Sequence, residues 1–140
     1  MLMLLLPLAL AGCTIFAPRY NAALDTNVTA AAEDVATIAA NVDLGTYATA
    51  ASFTGASDTY VDAIAKLSVA EQQAGNLTVQ GKIATREREN LGKIIASCAT
   101  EVKTLAGIHQ TSGVAPAAGL TAAMTVACNR AVRAVQAQKQ

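Results

Sequence analysis

The chain has 140 residues, with ten Lys plus Arg against ten Asp plus Glu, no Trp, and 53% apolar but only 4% aromatic residues. That length suits one small domain, and zero net charge with so few flat rings excludes a non-specific nucleic-acid binder, which needs a basic surplus for phosphates and aromatic faces for stacking. Ala supplies 32 of the residues, so helices can approach closely while each buried side chain adds little area. The expected core is thin.

Residues 1–12, MLMLLLPLALAG, form an apolar run that stops at small residues directly before Cys13. As a helix it would extend only ~18 Å, too short for a hydrocarbon core of roughly 30 Å. The run therefore reads as the apolar region of a signal peptide. Its end, Leu10-Ala11-Gly12-Cys13, resembles the lipobox of bacterial lipoproteins, in which small residues admit the peptidase and the Cys thiol receives a diacylglyceryl group. The resemblance implies that residues 1–12 are removed as a lipoprotein signal peptide and that Cys13 is lipidated; it implies no activity. No Lys or Arg precedes the run, whereas signal peptides open on positive residues, so a start upstream of Met1 is expected. The competing reading makes residues 1–12 a buried helix and Cys13 a core thiol. Thr14 follows the Cys, where the inner-membrane retention signal of enteric bacteria is Asp, so the resemblance implies the outer membrane, facing the periplasm.

Residues 13–20 contain Pro18 and no periodic pattern and are expected to be a tether, leaving residues 21–140 as a helical domain. Leu24, Val28, Ala31, Val35, Ile38 and Val42 recur at spacings of 4, 3, 4, 3 and 4, the seam of an amphipathic first helix. Gly45 is its expected C-cap and Thr46 the expected cap of the next helix. Phe53, Tyr60, Ile64 and Leu67 share one face of a second helix whose first half is interrupted around Ser52–Ser57 with Gly55. Ser68-Val69-Ala70-Glu71 matches a capping box and predicts a fresh turn before Gly75-Asn76 breaks it. Thr78 is expected to open a third helix with the seam Leu91, Ile95, Cys98, Val102, Leu105 and His109. Thr111 to Gly119 reads as a loop, and Leu120, Met124, Cys128, Ala131 and Val135 form the seam of a fourth helix. Four helices without a credible strand predict an all-α, antiparallel up-down-up-down four-helix bundle with a short N-terminal tether.

From Thr14 to Val79 two bases stand against seven acids, and from Gln80 onward eight bases against three, so the halves carry −5 and +5. Acidic helices 1 and 2 pairing with basic helices 3 and 4 is the expected outcome; a basic flank meeting anionic lipid or an acidic partner is the alternative. Cys98 and Cys128 are the cysteines left once Cys13 carries lipid. Their midpoint is Gly113, inside the predicted loop, so an antiparallel hairpin sets them side by side at matching depth. A disulfide there would stabilise the fold by about 3–4 kcal/mol on the chain-entropy account and suits an oxidising compartment.

The other constellations are poor in chemistry. His109 is the single histidine, with no G-x-S-x-G elbow and no identifiable third member of a triad. Paired with Met124 it would supply the axial ligands of a haem-type bundle, but there is no C-x-x-C-H and few aromatics to enclose a porphyrin. Two Cys and one His fall short of a tetrahedral metal site. Glu33 with Asp34 and Glu87 with Glu89 lack the Glu-x-x-His spacing of di-iron bundles and read as solvated faces, and the sequons Asn27-Val28-Thr29 and Asn76-Leu77-Thr78 matter only in a eukaryotic secretory context. The expectation is a non-enzymatic, membrane-anchored periplasmic lipoprotein without cofactor, acting through contact with an envelope protein. A small-molecule or haem carrier, and a phage-encoded lysis or superinfection-exclusion lipoprotein, are the alternatives.

Overall fold

A computed structural model describes residues 18–116 and 119–139; the apolar run and Cys13 lie outside the described residues. Four helices succeed one another: α1 (Ala22–Asp43), α2 (Phe53–Gly75), α3 (Gly81–Ser112) and α4 (Leu120–Gln136), with 3₁₀ turns at Ala50–Ser52 and Ala137–Lys139. α1 packs on α2 and α4, and α3 packs on the same two, so the helices form a ring in which consecutive members run antiparallel. The all-α four-helix bundle read from periodicity is what the chain builds.

The seam of α1 is the six residues named from spacing, each at most 2% exposed. Asn21 caps its start by accepting from the Leu24 N–H at 3.0 Å. At its end Gly45 N–H donates to the Val42 carbonyl and Thr46 N–H to the Asn41 carbonyl, the paired pattern of a Schellman close with Gly45 in the left-handed region. The Thr46 hydroxyl also donates to the Asn41 carbonyl. Thr46 thus finishes α1 and does not cap α2, a correction to the sequence expectation, because the freed carbonyls of α1 are within its reach.

α2 departs furthest from its sequence pattern. It starts late, at Phe53, and runs unbroken through Ser68–Glu71 to Gly75, so the capping-box match opens no new turn: the Ala-rich surroundings let the helix continue and Ala70 stay in the core. The buried face is Ala56, Tyr60, Ala63, Leu67, Ala70 and Ala74, with Ile64 only partly buried at its edge. Four alanines at the contact bring α2 close to its neighbours and force the larger Ile64 to the flank. α3 begins at Gly81 after Gln80, which makes no side-chain cap, rather than at Thr78. Its seam from Leu91 to His109 is buried as expected, and α4 buries Met124, Cys128, Ala131 and Val135, with Leu120 partly buried.

Cys98 and Cys128 are joined by a disulfide between α3 and α4, their Cα atoms 4.6 Å apart and 30 residues apart in sequence. It ties α4, the shortest of the four helices at 17 residues, to α3. Two ion pairs tie elements together: Lys66 to Asp34 across α1 and α2 at 2.6 Å, and Lys139 to Asp25 between the C-terminal turn and α1 at 2.7 Å. Only the second joins the acidic half of the sequence to the basic half, while the packing sets α2 beside α3 and α1 beside α4. Tyr20 completes this corner, its hydroxyl donating to Asp25 with the Lys139 ammonium 5.2 Å from its ring centre.

Candidate functional site

The most concentrated chemistry lies at the end of the bundle where α1 hands over to α2 and α3 to α4. The last turns of α3 carry His109 on the apolar seam, where it is fully buried. α2 brings Tyr60, the 3₁₀ turn brings Ser52, and the α1–α2 connection lays the Tyr47 ring on the imidazole at 4.5 Å between centres. Phe53 meets the imidazole edge-on at 5.4 Å. The two loops at this end are locked together. Val114 N–H donates to the Tyr47 carbonyl at 2.7 Å, and Gly113, at φ +80°, leaves no room for a side chain, because a Cβ there would lie 2.3 Å from the Ala48 carbonyl oxygen.

Both ring nitrogens have a hydroxyl within reach. His109 Nε2 lies 2.9 Å from Ser52 Oγ, and Nδ1 lies 3.3 Å from the Tyr60 hydroxyl. Ser52 Oγ also donates to the Thr49 carbonyl at 2.6 Å; in that arrangement it accepts from an Nε2–H, and Nδ1 accepts from Tyr60. Burial pushes the His109 pKa below its ordinary value, with contact to the Thr49 backbone opposing the shift. Burial pushes Tyr60 well above the usual phenol range, and Tyr47 nearby pushes it the same way; Tyr47 is itself raised by burial. The environment favours a neutral imidazole between neutral phenols.

A Ser within 3 Å of a His invites comparison with a nucleophile and its base. Here the far nitrogen faces the Tyr60 phenol where a triad places a carboxylate, and the Thr49 carbonyl competes with His109 for the Ser52 proton. Both ring nitrogens are engaged, which removes the free nitrogen an axial haem ligand requires, so the pairing of His109 with Met124 has no support in this geometry. Met124 is fully buried in the core. The cluster functions chemically as a polar clasp that holds the 3₁₀ turn onto α2 and α3.

Sequence reasoning placed His109 and Tyr60 on seams but did not bring Tyr47, Ser52 or Phe53 to them. Tyr47 sits in a connector without periodicity, and no local pattern encodes its docking. Of the carboxylate pairs, Asp34 is taken by Lys66, while Glu33, Glu87 and Glu89 are exposed. No group of three His, Cys, Asp or Glu residues that could hold a metal ion occurs among the described residues, and no helix among them is long and apolar enough to cross a membrane. The surface grooves are shallow: one between α3 and α4 is lined by Lys93, Ile94, Ser97, Ala127 and Arg130, and another, between α3 and the C-terminal turn, has Pro18 in its wall.

No family model matches the chain, and comparisons with curated proteins and with solved structures find no match either.

Proposed function

We propose that the protein is a lipid-anchored component of a bacterial envelope that acts through contact by the bundle surface, not through catalysis. The observation that carries this reading is the division of labour among three cysteines. Cys98 and Cys128 are consumed by a bridge inside the bundle, as suits an oxidising compartment, while Cys13 stands apart at the end of an apolar run in a lipobox-like setting. Acyl chains contribute about 0.8 kcal/mol per buried CH₂, and several on one Cys hold a protein stably at a membrane. The bundle itself then needs no spanning segment.

The contact role is supported by the state of the one histidine cluster, whose polar groups satisfy one another within the core and leave nothing aimed at a substrate. An outer-membrane, periplasm-facing location follows from Thr14 after the lipidated Cys by the lipobox resemblance. The test is direct. Protein expressed in a bacterium with its leader should yield, by intact mass, a chain starting at an acylated Cys13, and Cys13→Ser should move it out of the membrane fraction. An unmodified chain that retains Met1 overturns the reading. Cross-linking in the intact envelope followed by mass spectrometry should then recover a protein partner; recovery of lipid alone would overturn the contact role.

A further inference from the structure

We infer that the first three turns of α3, Gly81 to Asn90, form a foot that rests on the anionic headgroups of the membrane holding the lipid anchor. This inference rests on the anchored reading above.

The first observation is one of packing. α3 has 32 residues against 22 in α1 and 17 in α4, a length of ~48 Å at 1.5 Å per residue. Of residues 81 to 90 only Ala84 is buried, and the continuous apolar seam of α3 begins at Leu91. The opening turns therefore contribute little to the apolar centre of the bundle.

The second observation is what those turns carry. Lys82 and Arg86 are exposed and make no ion pair among the described residues, and between them Ile83 stands 53% exposed. Arg88 is half-buried and reaches the Leu77 carbonyl. The first turn holds no acidic residue and Gln80 provides no cap. Bases at the start of a helix oppose its dipole, so this arrangement runs against the stability of α3 itself. An apolar side chain flanked by two free cations is the pattern of a segment that sits at a lipid–water interface.

The third observation is position. Pro18 is buried and lines one groove together with Glu87, Asn90, Leu91 and Ile94 of α3 and with Ala137 and Gln138 beyond α4. Four residues separate it from Cys13, so over those five Cα steps the anchor lies at most ~18 Å away even with the tether fully extended. Gly81 stands about 9 Å along the axis beyond Glu87, which covers half of that distance. Arg19, at the base of the tether, and Lys139, whose charge is shared with Asp25, complete a basic end. Glu87 and Glu89 on the foot and Glu71 near the end of α2 are the opposing exposed carboxylates. The far end of the bundle instead exposes Asp43 and Asp58, so the end nearest the anchor is the one suited to an anionic leaflet.

The experiment uses the chain from Thr14 onward, which contains every core residue and both bridged cysteines but cannot be lipidated. It should co-sediment with phosphatidylcholine vesicles doped with phosphatidylglycerol, and not with phosphatidylcholine alone, with binding that falls as salt rises. A base near such a surface is worth about fivefold in affinity, so Lys82→Glu with Arg86→Glu should weaken binding by at least tenfold. Ile83→Ser should weaken it to a lesser degree. Lys93→Glu with Arg130→Glu, in the middle of the same basic side, should change it little. Absence of binding, equal binding to neutral vesicles, or an equal loss from the mid-bundle pair overturns the foot. Failure of the anchor shows separately, as an unacylated Cys13 in cells, and leaves the vesicle result intact.

Discussion

Gly113→Ala is the sharpest perturbation of the loop clasp, because its cost separates into two parts that a second glycine isolates. At φ +80° and ψ 169° an Ala would enter backbone space essentially reserved for glycine, and its Cβ would sit 2.3 Å from the Ala48 oxygen and 2.5 Å from the Thr49 nitrogen. The first part costs about 1–3 kcal/mol. The second cannot be relieved by rotating a side chain, since the obstructing atoms are backbone, and prying the loops apart would also strain the Val114 to Tyr47 hydrogen bond at 2.7 Å; overpacking of this kind costs about 1–3 kcal/mol more. Gly119 supplies the control, at φ +65° with nothing within 4 Å of a built Cβ. Gly119→Ala should therefore lose about 1–2 kcal/mol and Gly113→Ala about 2–6 kcal/mol. For a domain of this size 1 kcal/mol lowers Tm by roughly 4 °C, so thermal unfolding followed by circular dichroism should show falls of about 4–8 °C and 8–24 °C. Equal losses in the two variants would refute the close approach of the loops.

Reduction of the Cys98–Cys128 bridge, which spans 30 residues, should lower unfolding free energy by about 3–4 kcal/mol in urea titrations; an unchanged midpoint in reducing buffer would count against it. Burial lowers the His109 pKa, so the unfolded chain takes up a proton there that the folded chain refuses. The His109 contribution is complete above the unfolded value of about 6.5 and is lost as pH falls from there towards the folded value, with a slope of at most about 1.4 kcal/mol per pH unit. His109→Gln should flatten that part of the stability profile, and parallel profiles for the two proteins would contradict the assignment. Gly107→Ala, at an exposed position in the interior of α3 with nothing near a built Cβ, should raise stability by about 0.5–1 kcal/mol, visible as a higher urea midpoint. Lys66→Ala, which removes a partly exposed pair with Asp34, should cost under about 1 kcal/mol.

Periodicity determined the bundle. Leu24 to Val42, and Leu91 to His109, repeat at spacings of 4 and 3 because a helix returns to the same face on that rhythm, and one buried stripe on each of four helices suffices to define the ring. The disulfide was legible for a related reason: in an antiparallel hairpin, sequence distance from the turn is also distance along the axis, so Cys98 and Cys128 had to meet. Tertiary structure decided what depends on how closely helices approach and where loops land. Ala63 outranks Ile64 at the α2 contact because close packing favours the smaller side chain, a choice invisible to a pattern that weights size. Thr46 serves α1 because orphan carbonyls were within its reach, and Tyr47, Ser52 and Tyr60 enclose His109 because a connector folds back across the bundle end. Such contacts join residues as far apart in sequence as 52 and 109, and no local rhythm in the chain records a meeting made by the packing of whole helices.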